Sequence, residues 1–465
     1  MQGTDLKENK MRSMPIGRLL TTMAIPLVLS MLVQALYNVV DSIYVSRISQ
    51  NAVTALSLAF PIQNLQIGFA TGIAVGMNSF LSKSLGERNQ ERANRSAGNG
   101  ILLMLVAVAL FMAFGFFATR PFYAMQTKEA GVVEGATQYT AICCIYTLGI
   151  FVEVLGERLL QASGRTIYTL FTQGTGAVLN IILDPVFIFG YEPLGIAPMG
   201  IAGAAVATVI GQWVAGILAI IFNFTSNPDV QLRLRYLKPD WYIIKKILAV
   251  GIPSVVMMAI GSVMNFGMNQ ILLGFGLIGL TGSAVFGLYF KLQSFFFMPV
   301  FGLNNAAVSI LAFNYGARQP QRITKTLKLS LVMILGVMLL GVAAFQLVPE
   351  LLMGIFADSQ DVENAQFIAL GVDALRIISL SFPLAAVGIA LSASFQALGV
   401  GIYATITSLS RQLIVLLPVA YLMSLTGNIH NVWWAFPIAE VVSLMVTLIC
   451  FARIYHLRIK PLYNK

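Results

Sequence analysis

Four polar side chains share one face of an otherwise apolar segment near the start of the chain: Gln34, Tyr37, Asn38 and Asp41, at i, i+3, i+4 and i+7. A carboxylate inside an apolar helix is costly and is a functional candidate by default. Asn180-Ile-Ile-Leu-Asp184-Pro185 repeats the theme, with Asn180 and Asp184 one turn apart. At 1.5 Å per residue, Asp41 stands about 33 Å along its helix and Asp184 about 29 Å along its own, so the two reach similar depth from the same side. Carboxylates crowded into a poorly solvated site repel, so such a group can bind and lose a proton at working pH. Asp41 and Asp184 are therefore candidate proton carriers, with Asn180 beside Asp184 and with Gln34, Tyr37 and Asn38 as candidate substrate contacts. Two structural readings compete: snorkelling of Asp41 at an interface, and helix shaping by Asp184 and Pro185.

Further candidates are spread along the chain. Glu153 and Glu157 form a second i, i+4 pair, with Arg158 beside them. They suit either attraction of a cationic substrate or a structural ion pair. Tyr139 joins the candidate substrate contacts. Lys291, Arg376, Asp373, Arg411 and Glu440 read as an internal ion-pair network, in which Lys291 and Arg411 are also candidate contacts to cargo. Asn304 is a candidate cavity-lining group. Met257 and Met264, with Phe295, Phe296 and Phe297 nearby, supply soft side chains for a pocket that accepts many ligands. Pro26 and Pro253 each remove a backbone bond inside an apolar run and are the expected hinges.

Composition decides what can hold these groups. The chain has 465 residues, 57% hydrophobic and 10% charged, with a mean hydropathy of +0.81. A soluble protein needs about a quarter of its residues charged, so most of this surface must meet lipid. Apolar runs such as Leu19–Val45 and Leu327–Val348 reach the roughly 20 residues of a spanning helix. They are continuous rather than alternating, which excludes a β-barrel. The fold class predicted is all-α and integral to the membrane, with twelve spans: 19–46, 53–83, 97–119, 131–156, 165–190, 199–224, 244–275, 281–313, 326–348, 365–397, 400–426 and 431–455.

Of the 29 Lys and Arg residues, 22 fall in segments on one side of these spans, and the other side holds Arg47, Arg120 and Lys128. This asymmetry predicts that both termini are cytoplasmic. The net charge of +10 is thus a topology signal, and no nucleic-acid partner is expected. The first eighteen residues are polar, and no small-residue cleavage site follows the first apolar run, so that run is expected to be retained. Cys143, Cys144 and Cys450 lie within apolar runs and are expected to be free thiols. With His430 and His456 the only histidines, a membrane metalloenzyme or haem protein is hard to build. No cofactor beyond a coupling ion, and no enzymatic activity, is expected.

The sequence also repeats itself. Ala24-Ile25-Pro26 matches Gly251-Ile252-Pro253. Leu85-Gly86-Glu87-Arg88 matches Tyr315-Gly316-Ala317-Arg318. Gln161-Ala162-Ser163-Gly164 matches Gln396-Ala397-Leu398-Gly399, with Tyr168 and Tyr403 following at equal distance. Each pair occupies the same place in a cycle of six spans. An even number of spans gives both copies the same orientation, related by an axis along the membrane normal. The expected division is a tail 1–18, an N-lobe 19–224, a polar linker 225–243, a C-lobe 244–456 and a tail 457–465.

Taken together, these residues resemble the multidrug and toxic compound extrusion (MATE) family. The resemblance rests on Gln34-x-x-Tyr37-Asn38-x-x-Asp41 and on Gly176-Ala177-x-x-Asn180-Ile-x-Leu-Asp184-Pro185. It continues through Gly200-x-x-Gly203-Ala204-Ala205-x-Ala207-Thr208, Tyr289-x-Lys291-x-Gln293, Gly302-Leu303-Asn304-Asn305 and Asn314-Tyr315-Gly316-Ala317-Arg318. It spans nearly the whole chain and is nearest to bacterial DNA-damage-inducible-type and staphylococcal multidrug-exporter-type members. It implies a pair of six-helix lobes in the bacterial plasma membrane, working as one chain among lipids. It implies export of cationic, often aromatic, compounds in exchange for protons or sodium. It also implies that cation binding at Asp41, Asn180 and Asp184 bends the first helix and displaces drug. Two features depart from the family. The seventh span and the body of the tenth, Ile377–Leu398, hold no acid, so a C-lobe sodium site is not expected. Glu157 stands where many members have Asn.

Three other readings compete. A lipid-linked precursor flippase of the same superfamily needs a strongly cationic cavity, and only Lys291, Arg376 and Arg411 are available for one. A membrane transferase would leave the repeat unexplained and lacks recognisable catalytic motifs. A passive channel does not need paired titratable acids.

Overall fold

Lipid offers the backbone no water to bond to, so each apolar run closes its own hydrogen bonds as a helix. The computed structural model describes residues 9–354 and 362–463; the side chains at 38, 39, 42, 43, 45, 46, 50, 53, 194 and 362–364 are outside that description. Among the described residues no strand forms. Of these residues, ten helices are long and apolar enough to cross a membrane, and two bent pairs, each taken as one span, bring the number to twelve. The first (Ile16–Ser46), second (Gln50–Gly86), third (Gln90–Phe117), fifth (Ile167–Phe189), sixth (Ile201–Ser226), seventh (Trp241–Leu273), eighth (Leu277–Gly316), ninth (Pro320–Leu347) and twelfth (Ala435–Ile454) are single helices. The fourth is Ala130–Ile145 plus Leu148–Ala162, bent by 48°, and the tenth is Val362–Ser379 plus Phe382–Ala397, bent by 47°. The eleventh runs from Ile402–Leu409 to Leu417–Ser424 through a π-helical stretch, Ser410–Leu416. With an even number of spans, the first and last described residues and the 227–240 connection lie on one face, called here the terminal face.

Several helices outrun the apolar segments by one or two turns at this face. The reason is capping. Asn89 and Asp240 accept backbone N–H bonds from Arg92 and from Tyr242 and Ile243, and so start the third and seventh spans among charged residues that are good helix formers.

Two of the three repeated motifs are helix endings, and the third, at Pro26 and Pro253, lies inside helices. After the second span, the N–H of Arg88 bonds to Leu85 O and that of Asn89 to Ser84 O; Arg318 and Gln319 do the same after the eighth. Gly164 and Arg165 close the fourth span in this way, and Gly399 and Val400 close the tenth. All four are Schellman caps, which need a left-handed residue. Glycine supplies it at Gly164 and Gly399 (φ 81° and 73°), whereas Arg88 and Arg318 adopt it at φ 58° and 55° despite their side chains.

Small residues let the halves touch along the second span. A Cβ on Gly76 would lie 2.1 Å from Ile247 O, on Gly86 2.0 Å from Phe313 O, and on Gly316 2.1 Å from Lys83 O. Buried polar bonds lock the same seam. Asn78 Nδ2 donates to Ser309 Oγ at 3.1 Å, and Ser79 Oγ donates to Gln396 O at 2.7 Å. These contacts lie between mid-helix and the terminal face, so the halves are joined there.

The first span crosses the division between the halves. From the terminal face to just past Pro26, Leu19, Leu20, Met23, Ala24 and Leu27 are buried in one core with Phe286, Tyr289, Ile334 and Phe382. Gly302 of the eighth span abuts Val28 so closely that a Cβ there would be 2.8 Å from its nitrogen. Above Pro26 the same helix runs along the fifth span. The connection at 227–240 divides the chain, yet packing crosses that division through the lower first span.

Candidate functional site

The upper first span carries Gln34, Tyr37 and Asp41 towards the fifth and sixth. Gln34 is half-buried; the Asn38 side chain lies outside the described residues. Asp184 is fully buried on the fifth span. With the Asn180 amide turned so that donors meet acceptors, its nitrogen donates to Asp184 Oδ2 at 2.9 Å. Its oxygen then accepts from the Thr208 N–H at 3.0 Å and from the Thr208 hydroxyl at 3.2 Å. Tyr37 reaches Thr208 and lies within electrostatic reach of both Asp41 and Asp184, which also feel one another. Oδ1 of Asp41 and Oδ1 of Asp184 are buried and have no donor among the described residues. The structure thus brings together the two acids and the asparagine singled out in the sequence.

Tyr139 of the fourth span joins from the side. It is buried, its hydroxyl accepts from Gln63 Nε2 at 3.3 Å, and it faces Cys143, Asp41 and Tyr37. The bend below it frees carbonyls that other spans satisfy: Gln66 Nε2 donates to Cys143 O at 3.0 Å and Trp213 Nε1 to Tyr146 O at 3.2 Å. Thr208, Gln63 and Gln66 went unassigned at the sequence level. Thr208 had a signal, the small-residue run that leads to it; the glutamines had none beyond being polar in an apolar span.

Other expectations are revised. Glu157 is 3% exposed and accepts from Thr172 Oγ1 at 2.7 Å and Gln173 Nε2 at 2.8 Å, both on the fifth span. It is enclosed within the N-half rather than open to cargo between the halves. The supposed network of Lys291, Arg376, Asp373, Arg411 and Glu440 resolves into separate pairs. Arg411 donates to Glu440 at 3.2 Å, Arg376 meets Glu350 at 2.9 Å, and Asp373 meets His430 at 2.7 Å. Lys291 is exposed and has no ion-pair partner among the described residues. Met264 is buried in the large core, and Met257 is half-buried against another. Met258, one residue on, touches the second span opposite Gly68 at 3.6 Å. Asn304 is buried with Oδ1 unpartnered. Pro26 and Pro253 both lie inside helices, and Pro253 is backed by Gly401 and by Thr405, whose hydroxyl donates to its carbonyl at 3.1 Å. Cys143, Cys144 and Cys450 are free and buried.

Comparisons agree with this architecture. The chain is 23% identical to the multidrug export protein MepA of Staphylococcus saprophyticus, over 92% of this chain and 91% of that protein. It is similar to the crystal structure of a MATE in complex with MaL6, with a TM-score of 0.91 and 25% identity over 99% of this chain and all of the other. It is also similar to an outward-facing MATE transporter of the MOP superfamily, with a TM-score of 0.90 and 25% identity over the full length of both. The MatE family model matches residues 26–186 and 253–422, two stretches that begin at Pro26 and Pro253 and take in Asp41, Asp184 and Arg411, and the chain therefore belongs to the MatE family of membrane transporters.

Proposed function

We propose that the chain exports cationic, aromatic organic compounds by alternating access, driven by a proton or sodium ion that binds between Asp41 and Asp184. One observation carries the coupling: two buried carboxylate oxygens at a shared polar cluster have no donor among the described residues, and a buried unpaired carboxylate needs a proton or a cation. The relatives named as multidrug exporters support the cargo class. The lower first span is fixed in the C-half core, while Asp41 belongs to the N-half cluster. An ion that draws Asp41 towards Asp184 therefore pulls across Pro26, where the helix already lacks one backbone bond. The terminal face, closed along the second span and rich in Lys and Arg, is the cytoplasmic one in this reading.

Asp41→Asn tests it. The amide keeps the shape and cannot exchange a proton. Cells expressing the variant should retain ethidium as empty-vector cells do, while the purified protein stays monodisperse. Efflux at the wild-type rate would refute the coupling role.

A further inference from the structure

A second set of ionisable groups lies below the first, with Glu157 and Arg158 buried and Glu153 half-buried. Glu153 and Glu157 sit one turn apart on the lower fourth span, and Arg158 beside them is 7% exposed. The guanidinium does not form an ion pair with either carboxylate among the described residues; it donates to Gln161 Oε1 at 2.9 Å. Glu157 is held by neutral donors, Thr172 and Gln173. Two carboxylates and one guanidinium leave one negative charge to be balanced inside the half.

The fifth span ties this set to the coupling site. Thr169, Thr172, Gly176, Asn180 and Asp184 form its buried face, spaced by three or four residues. The bonds from Thr172 and Gln173 to Glu157 fix the register of the two helices. Glu153 then stands level with Gly176, about one turn below Asn180. The sixth span gives the same level independently: Gly216 packs at the Glu153 backbone, and its neighbour Ala215 packs at Gly176. Two buried acceptors bracket the gap. Asp184, fully buried, has Oδ1 without a donor at the upper end, and Gln173 has Oε1 without one at the lower end, among the described residues. Such atoms point to a bound proton, cation or water in this column.

We propose that Glu153 and Glu157 form a second station for the coupling ion, which receives it from the Asp41–Asp184 site and passes it towards the terminal face inside the N-half. Each transfer moves one proton, or one sodium ion, from a carboxylate to the next, leaving the donor ionised. Arg158 stabilises the station when both glutamates are charged. The ion thereby leaves along a path separate from the cargo route between the halves. This inference rests on the coupling role of Asp41 proposed above.

The test uses full-length protein in liposomes with ethidium, under a proton gradient and, separately, a sodium gradient. Two fluxes are compared: gradient-driven transport, which moves the ion through, and ethidium-for-ethidium exchange, which does not. Glu157→Gln keeps the side-chain shape, and Glu153→Gln serves as an independent second variant. Each should lower gradient-driven flux by about tenfold or more and leave exchange within about twofold. Whichever gradient drives the wild type identifies the ion. Wild-type gradient-driven flux in both variants, or equal loss of flux and exchange in both, would overturn the station. If Asp41→Asn also keeps wild-type gradient-driven flux, the coupling site itself fails; if Asp41→Asn loses it while both glutamine variants keep it, only the second station fails.

Discussion

The two halves share a scaffold and differ in what it holds. Matching spans end in the same caps, at Arg88 and Arg318 and at Gly164 and Gly399, and the fourth and tenth bend alike, by 48° and 47°. In the N-half this scaffold holds Asp41, Asp184, Glu153 and Glu157, with the Arg158 guanidinium beside the two glutamates. In the C-half it pairs Arg411 with Glu440 and fills the interior with rings: Tyr289, Phe296 and Phe345 meet edge to face, and Phe297 packs on Phe382 at 5.3 Å. Unbalanced carboxylates call for a mobile charge, while interlocked aromatic rings resist rearrangement. The contrast suggests a division of labour, with ion handling in one half and a rigid anchor for the lower first span in the other.

The comparison is broken most directly at the coupling site. Asp184→Asn should lower gradient-driven efflux by about a hundredfold, because a buried acid that cannot exchange its proton removes the driving reaction itself. Flux measured in liposomes at equal protein density checks this.

Next in size is the hinge. Pro26→Ala should restore the missing backbone bond, stiffen the first span and lower efflux by about tenfold, whereas Pro253→Ala should change it by less than about threefold. The asymmetry is expected because Pro26 lies where the first span passes from a segment anchored in the C-half, which ends at about Val28, to one bound to the N-half cluster. The seventh span has no such split, and Gly401 and Thr405 brace it at Pro253. Equal losses in the two variants would count against the asymmetry.

The seam should respond alike from either side. Gly76→Ala and Gly316→Ala each place a methyl within 2.1 Å of a backbone carbonyl across the halves, an overpacking that costs about 1–3 kcal/mol. Both should favour separation at the terminal face, seen as faster labelling of a cysteine introduced at Ser79. The smallest functional effect is expected in the C-half. The double variant Arg411→Gln, Glu440→Gln should keep efflux within about twofold, while Glu440→Gln alone lowers thermal stability more than the double, since it strands a half-buried guanidinium.

Much of this was legible in the sequence. The spans, the repeat and the Asp41–Asp184 pairing followed from apolar length and helical spacing, because in lipid the backbone has few alternatives. Helix ends were less legible, since hydropathy finds the apolar stretch whereas Asn89 and Asp240 cap helices beyond it. The bends at Tyr146 and Leu380 escaped notice: no proline marks the first, and Gln66 and Trp213, remote in sequence, satisfy the carbonyls it frees. The partners of charged residues were least legible. Glu157 with Thr172 and Gln173, and Asp373 with His430, are tertiary contacts that spacing along one helix cannot reveal.

The central claim is that the coupling ion is handled by the N-half. Liposomes with independently imposed proton and sodium gradients, loaded with ethidium, test it on three proteins: the wild type, Asp41→Asn, and the double variant Arg411→Gln, Glu440→Gln. One gradient should drive flux in the wild type and in the C-half double variant, and neither gradient should drive it in Asp41→Asn. Gradient-driven flux that survives in Asp41→Asn and disappears in the C-half double variant would contradict the account.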